Sequence, residues 1–559
     1  MSGFRAEDLA VVIPTRDRWP MLDRCLRALA EQQPAGFETV VVVDGEDQEQ
    51  AVTAAGVTVL RSPRAGPGVA RNLGVERTGR PLVLLLGDDI LAEPGLIAVH
   101  LAAHNRRPAP TEAVLGRIAW HPEAAAGRIQ SWLEWSATQF DFGALDRQAS
   151  AGSDEAGWAR FYSSNVSLKA SLFRSVGGFD PDFRFLYEDI DLGWRLSQAG
   201  MVLRYQPAAV GLHVHRYDWP DLRRRFETAA RAERVMVAKH PWFRPHFADR
   251  ARSAITSSTS SLWSYLADVP LAPVRSVARP RADAWYYQQL APFFLNAWDA
   301  EDDLDDLRRY LGDDYDPAAL TSHDHRLHEE AGAAADEADF YRTSRAYLYD
   351  LTAFAMWPTK IPYRRDVMRV LPAGARLLDY GCGTGTDGLR LLARGYRVDF
   401  ADYDNPSTRF LRWRLADRGI EASVFDIEGE VPGGFDLAFS FDVAEHVPDP
   451  FELLRALEER AALVAVNLLE EDGHSHGHDG SEPLHHSLPV RRLLDHATSA
   501  GLVRYRLYHG RSHFVIYRSP RAAGPRPRWR SVTERMVGRA ASLPLPGRPP
   551  LSPGGRIWR

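Results

Sequence analysis

LLLGDDI (84–90) and LLDYGCGTGTDG (377–388) decide the fold. Each is a short apolar run that stops abruptly, the first on two adjacent acids and the second on alternate glycines. Apolar runs of that length, bounded by such residues, read as buried strands of a mainly parallel sheet. Outward from the first lie LAVVIP (9–14), TVVVVDG (39–45) and VTVL (57–60), alternating with the helix-like MLDRCLRALAEQ (21–32) and GVARNLGVERTG (68–79). Outward from the second lie YRVDFADYD (396–404), ASVFDIE (422–428), FDLAFSFD (435–442) and ALVAVNLL (462–469), then the paired runs LVRYRLYHG (502–510) and SHFVIYRS (512–519). The chain therefore reads as two α/β units, and 559 residues are too many for one core.

Between them the pattern turns helical and rich in Arg, Trp and Tyr. The expected division is 1–240, a helical connector at 241–340, a second α/β domain at 341–518, and a basic, Pro- and Arg-rich disordered tail at 519–559. The acidic stretch DAEDDLDDLRRYLGDDYD (299–316) reads as a solvated helix face. A net charge of −6 argues against a nucleic-acid partner, although the Arg-rich tail could touch anionic lipid. Two cysteines, Cys25 and Cys382, exclude a disulfide framework and fit a reducing compartment. With no apolar run near the ~20 residues that span a bilayer and no signal pattern, a cytoplasmic protein is expected, peripheral to the membrane at most.

In open α/β sheets the ligand site lies outside the carboxyl ends of the strands. Thr15, Asp44 and the Asp88/Asp89 pair would converge there. Two carboxylates after a buried strand suit a hard cation such as Mg²⁺ or Mn²⁺ with positions left for phosphate and water; a turn with a helix N-cap is the structural alternative. His213 and His215, two apart on a β-like run, would share a face.

Taken in order, VVIPTRDR (11–18), VVVDG, GPGVARNLG (66–74), LLLGDDI and the segment 165–200 with its core FLYEDIDLGWRL (185–196) resemble the family 2 glycosyltransferases of the GT-A fold over roughly residues 8–240. The resemblance implies a nucleotide-sugar donor met by Pro14, Thr15, Asp44, Arg71, Asn72 and Asp88. It implies a metal on Asp89, with His213 or His215 as a later ligand. Asp189 would be the general base of an inverting displacement, with Glu188 and Asp191 near the acceptor or orienting the loop. The sequence departs from the family's acidic triplet at Gly87.

The glycines of the second motif permit a tight turn against a ligand. A nicotinamide site shares that feature, but Asp379 before the glycines and the Gly-x-Gly-x-Gly spacing favour S-adenosylmethionine. From about 340 to 518 the chain resembles class I S-adenosylmethionine-dependent methyltransferases, which implies a Rossmann-like seven-stranded domain. Asp379, Gly381, Gly383 and Gly385 would meet the amino-acid part of the cofactor, and Asp402, with Asp404 as rival, the ribose. Asp426 would lie by the adenine, and Asp442 at the head of FDVAEHVPDP (441–450) by the transferred methyl. Glu445 and His446 are candidate proton acceptors, or His446 a structural cap. HSHGHD (474–479), with His485 and His486, reads as a loop over the acceptor or a metal site, and 341–371 as a helical lid or a brace.

The combined expectation is a bifunctional enzyme that transfers a sugar to a hydroxyl and methylates a glycan or glycosylated metabolite. The alternative is a nucleotide-sugar-binding or nucleotidyltransferase first domain beside a methyltransferase acting on an unrelated small molecule.

Overall fold

The computed structural model describes residues 3–45, 56–63, 65–125, 127–255, 259–320, 323–470, 486–508 and 510–521. HSHGHD, His485 and nearly all of the basic tail lie outside the described residues. The chain forms two compact units, Met1–Trp298 and Asp299–Arg559.

The first unit is built on an eight-stranded sheet: β1 (Leu9–Thr15), β2 (Glu38–Asp44), β3 (Val57–Ser62), β4 (Leu82–Leu86), β5 (Ile90–Ala92), β6 (Glu112–Trp120), β7 (Asn165–Lys169) and β8 (Val202–His213). Their order is β3-β2-β1-β4-β7-β6-β8-β5. The first four strands in that order run parallel, and β7 enters antiparallel to β4 and β6. Every residue of β1 and β4 is buried, as continuous apolar runs require when helices cover both faces of a sheet. Parallel pairing of β1 with β2 and β4 brings their carboxyl ends, and hence Thr15, Asp44 and Asp88, to one rim. Gly66 turns the chain into the helix Pro67–Arg77 with φ of 99°, and a Cβ there would lie 1.9 Å from the Arg184 carbonyl. Only glycine fits that approach.

A second apolar cluster in this unit joins Trp132, Phe226, Tyr286, Tyr287, Leu290 and Phe294. The last four lie on the 40-residue helix Ala272–Leu311, whose residues belong partly to each unit.

The second unit carries seven strands: β9 (Arg376–Tyr380), β10 (Arg397–Asp402), β11 (Val424–Asp426), β12 (Phe435–Ser440), β13 (Ala461–Leu469), β14 (Leu502–Tyr508) and β15 (Ser512–Arg518). The order is β11-β10-β9-β12-β13-β15-β14, parallel except for β15, which is antiparallel to both β13 and β14. This is the Rossmann-like seven-stranded sheet.

The acidic stretch 299–316 is only half solvated. Asp305, Asp313 and Asp314 are exposed, but Asp303 and Asp306 are buried. Asp303 pairs with Arg390 at 2.9 Å and with Arg414, and Asp306 accepts from Arg414 Nε at 3.0 Å. Leu304 and Leu307, each directly after one of these acids and also buried, mark the inward face of the helix. Charge density along the sequence concealed that periodicity. Among the described residues no helix is long and apolar enough to cross a membrane.

Candidate functional sites

In the first unit the end of β4 meets the loop after β1. The Thr15 hydroxyl donates to Asp88 Oδ2 at 2.8 Å. Arg18 bridges both acids, Nη2 lying 3.0 Å from Asp88 Oδ1 and Nη1 2.6 Å from Asp89 Oδ2. His213, at the end of β8 and stacked on Trp120, brings Nε2 to 3.3 Å from the same Asp89 oxygen. Burial, reinforced by the neighbouring Asp89 charge, pushes the Asp88 carboxyl up to about 6. Burial also opposes ionisation of Asp89, but His213 and Arg18 outweigh it and hold that carboxyl well below the usual range. Gly87 has a steric reason here: a Cβ would stand 2.9 Å from Asp89 Oδ1.

One carboxylate and one imidazole thus converge, and among the described residues no group of three or more His, Cys, Asp or Glu could hold a metal. The pair fits a divalent ion that draws its remaining ligands from a substrate, as hard cations in phosphate sites do. His213 Nδ1, the ring nitrogen that does not face Asp89, is buried without a hydrogen-bond partner. His215 lies beyond the end of β8, its ring 6.2 Å from that of His213 and 4.5 Å from that of Tyr217, so strand alternation does not place it.

The acidic core of 185–196 is delivered by a strained turn. Leu186 and Tyr187 both have positive φ, 68° and 65°, and Tyr187 is anchored by its hydroxyl to Glu233 at 2.6 Å. Two such residues in succession hold roughly 1–3 kcal/mol each of backbone strain, a level found where function fixes the geometry. The helix Glu188–Gln198 starts there. Asp189 Oδ2 accepts from the Ser163 N–H at 3.0 Å, while its Oδ1 and Glu188 Oε2 are buried without hydrogen-bond partners. Burial raises the Asp189 carboxyl, and burial together with the Asp189 charge raises Glu188 to about 7. Asp88, Glu188 and Asp189 all feel the positive charge of Arg71. Arg71 itself is buried, with Nε and Nη1 lacking partners. The Gly87 N–H donates to the Ser164 carbonyl at 3.2 Å, so adjacent residues, Ser163 and Ser164, tie the Asp189 and Asp88/Asp89 ends together.

The other residues expected at the donor and the acceptor have protein contacts of their own. Asp44 Oδ1 accepts from the Ala65 and Gly66 N–H groups at 3.0 and 3.2 Å, fixing the turn before the Arg71 helix. Asn72 exchanges two hydrogen bonds, both 2.8 Å, with the backbone of Phe179. Pro14 is buried within β1. Both oxygens of Asp191 are engaged, by Arg195 at 2.6 Å and His240 at 2.8 Å. Since Arg195 also donates to the carbonyls of Val176 and Gly178, Asp191 has the contacts of a loop-orienting group and not those of an acid-base group. Arg18 and Ser163 escaped the sequence reading. Arg18 stands three residues past a strand end already marked by Thr15; Ser163 carries no sequence signal because its backbone N–H, which any residue has, makes the bond.

In the second unit Gly381, Gly383 and Gly385 have φ of 73°, 52° and 72°. Leu411 would lie 2.3 Å from a Cβ on Gly385. The loop is held by acids: Asp379 Oδ2 accepts from the Gly388 N–H at 3.0 Å, and Asp402 Oδ2 from the Gly383 N–H at 2.7 Å. Burial raises Asp379 well above the carboxylate range and Asp402 to about 6. Asp404 pairs instead with Arg412 at 2.6 Å, and Asp426 Oδ1 accepts from the Glu428 N–H at 3.1 Å. Asp442, at φ 55°, is clamped by Asn467 through bonds of 2.8 and 2.5 Å. Lys360 stands 3.5 Å from both Asp442 and Asp387, and these acids hold its pKa above normal against the effect of burial. His446 Nδ1 meets the Tyr341 hydroxyl at 3.0 Å. His486 binds the backbone of Glu445 at 2.7 Å and the carboxylate of Glu337 at 3.2 Å. Segment 341–371 supplies Tyr341, Lys360 and helices Ala346–Ala355 and Ile361–Val370.

The family model "Glycosyl transferase family 2" matches residues 10–166, "Glycosyl transferase family group 2" matches 114–293, and "Methyltransferase domain" matches 359–515. Validoxylamine A glucosyltransferase of Streptomyces hygroscopicus subsp. limoneus is 33% identical over 242 residues, 37% of this chain and 51% of that protein. Pre-mycofactocin glycosyltransferase of Mycobacterium tuberculosis (strain CDC 1551 / Oshkosh) is 29% identical over 254 residues, 43% of this chain and 50% of the relative. Ubiquinone biosynthesis O-methyltransferase of Xanthomonas axonopodis pv. citri (strain 306) is 33% identical over 107 residues, 18% of this chain and 44% of the relative. The chain spans about half the length of the curated relatives it matches. It joins a family 2 glycosyltransferase domain of the GT-A type to a Rossmann-like methyltransferase domain.

Proposed function

We propose that the first unit transfers a sugar from a nucleotide-sugar to a hydroxyl acceptor with inversion, and that the second methylates an oxygen of a glycan or glycosylated metabolite. The observation that carries the first reading is Arg71, a buried guanidinium with two unpartnered nitrogens set among Asp88, Glu188 and Asp189. Such a cation is poised for a polyanion, and the acids beside it for a proton and a metal.

Asp89 and His213 would hold the Mg²⁺ or Mn²⁺, which when bound supplies charge neutralisation of the departing diphosphate. Arg71 completes that neutralisation from the protein side. Asp189 Oδ1 takes the proton of the acceptor hydroxyl as its oxygen bonds the anomeric carbon and the carbon–phosphate oxygen bond breaks. The Ser163 N–H fixes the other oxygen of Asp189, and burial raises its basicity toward working pH. Asp191 orients the loop.

S-adenosylmethionine would supply an electrophilic methyl group to the second site. Gly381–Gly385 would give its amino-acid part close backbone approach, with Asp379 and Asp402 bracing that loop and Asp442, clamped by Asn467, standing beyond the end of β12. Tyr341 and His446 form the pair nearest in type to a proton acceptor. Consecutive action on one product is the simplest use of the fusion.

Asp189→Asn tests the first reading. Transfer from radiolabelled nucleotide-sugars should fall about 10²- to 10⁴-fold while donor affinity is kept. A variant that still transfers at the parental rate, or one that loses donor binding as well, overturns the assignment of Asp189 as base.

A further inference from the structure

We infer that the segment Leu262–Arg281 of the first unit is a docking surface for an anionic lipid bilayer. Ten large apolar side chains are exposed among the described residues, and four of them, Leu262, Tyr265, Leu271 and Val277, fall within this one segment. Leu262, Tyr265 and Leu271 are each more than half exposed, at 56%, 57% and 58%. Leu262 and Tyr265 sit on the short helix Leu262–Leu266, Leu271 in the turn that follows it, and Val277 near the beginning of the helix Ala272–Leu311. Apolar side chains scattered singly on a surface need no explanation, but four gathered in one 20-residue segment mark an interaction surface.

The same segment is cationic. Arg275, Arg279 and Arg281 belong to it, and Arg128 joins by stacking its guanidinium 3.5 Å from the Tyr265 ring centroid. Arg279 lies over Trp135 at 5.2 Å and Arg281 over Trp263 at 4.9 Å. Most arginines of the fold's interior close onto carboxylates. Among the described residues these four have no carboxylate within ion-pair distance. Asp268, the acid within the segment, accepts from the Ser131 hydroxyl at 2.5 Å.

Exposed leucines beside aromatic rings and unpaired arginines match the layered chemistry of a bilayer surface: phosphate headgroups outside, acyl chains beneath. Rings capped by guanidinium groups are at home at that boundary, since they have an apolar body and a charged tip. An acidic protein or nucleic acid would satisfy the arginines and leave the leucines wet. The chain's net charge of −6 makes the patch a local feature and not a consequence of overall charge. A lipid-linked or membrane-proximal acceptor would then be presented to the first unit from one side.

The test is co-sedimentation of the full chain with vesicles of phosphatidylcholine mixed with phosphatidylglycerol, and with vesicles of phosphatidylcholine alone. The parent should sediment with the mixed vesicles and not with the neutral ones. The double variant Leu262→Asp/Leu271→Asp should lower partitioning about tenfold or more, and Arg275→Gln/Arg281→Gln should lower it and flatten its salt dependence. All four side chains lie outside both candidate sites, so donor binding, S-adenosylhomocysteine binding and circular dichroism should match the parent. No binding to anionic vesicles, equal binding to neutral ones, or parental binding by the leucine variant would each overturn the inference. So would light scattering showing that the parent self-associates through the patch and the leucine variant does not.

Discussion

The two units bury charge in opposite ways. At the first site Asp189, Glu188 and Arg71 are enclosed with polar atoms lacking hydrogen bonds, whereas in the second unit even charged atoms without hydrogen bonds, such as Arg390 Nε and Asp442 Oδ2, belong to ion pairs: Arg414 and Arg390 close onto Asp303, Arg364 onto Asp387 and Lys360 onto Asp442. Arg414 also donates to the Thr384 carbonyl at 3.0 Å, so the ion network reaches the glycine loop itself. Unsatisfied buried groups destabilise a fold and wait for a ligand. Paired ones hold a loop in shape. On the proposed function, the first unit has electrostatics suited to a polyanion and a proton, and the second a loop braced to meet a small, cationic cofactor.

That contrast is most directly broken at Asp303. Asp303→Asn leaves two arginines short of charge in a buried place and should destabilise the second unit by about 3 kcal/mol. Chemical denaturation of the full chain would show it, because S-adenosylhomocysteine raises only the transition of the unit that binds it. A shift below 1 kcal/mol would remove the ion network as the brace of the loop.

The next test is acid. In the first unit Lys169 donates to His104, His104 to Ser167, Ser167 to His100, and His100 to Asn165, in bonds of 2.8–3.1 Å. This direction follows from the lysine having no acceptor, and it requires both imidazoles to be neutral. Burial lowers His100 to about 4 and His104 further. Their stabilisation is complete above pH 6.5, the ordinary value, and declines as pH falls toward 4, because the unfolded chain takes protons that the folded one refuses. Glu188 works against them, since its raised carboxyl gains a proton in the folded state as pH falls through about 7. Glu188→Gln removes the largest part of that compensation, Asp88 and Asp189 supplying the rest, so the first transition should fall more steeply between pH 7 and 4, by on the order of 2 kcal/mol. Asp387, held below the ordinary carboxylate value by Lys360 and Arg364 despite burial, keeps its contribution until the pH drops beneath that value. Identical acid profiles for Glu188→Gln and parent would dissolve the distinction between the units.

The smallest effect carries the opposite sign. Asp189→Asn, which disables transfer in the mechanism above, replaces a buried, half-satisfied carboxylate by a neutral group of the same shape. It should raise the first unit's stability by about 1 kcal/mol, a trade of stability against function. A lower Tm in the variant would show that Asp189 holds the loop together.

Much of this is legible in the sequence. Continuous apolar runs ending on Asp44, Asp88 or Gly381 mark strand ends because a parallel sheet buries both faces and its chain must turn at the rim. Less legible was which acids stay open: Asp44, Asp191, Asp379 and Asp404 are spent on backbone or arginine, while Asp189 keeps a free oxygen beside Arg71.

Strand, turn and glycine-loop positions are local matters, written in apolar periodicity and in the backbone freedom of particular residues, and the sequence alone determined them together with the two-unit plan. The pairing of Arg18 and His213 with Asp89, the hold of Ser163 on Asp189 and the burial of Asp303 and Asp306 join residues far apart in the chain. Only the tertiary structure decided those, because the energy of a charge depends on the solvent and partners around it, and no short stretch of sequence contains them.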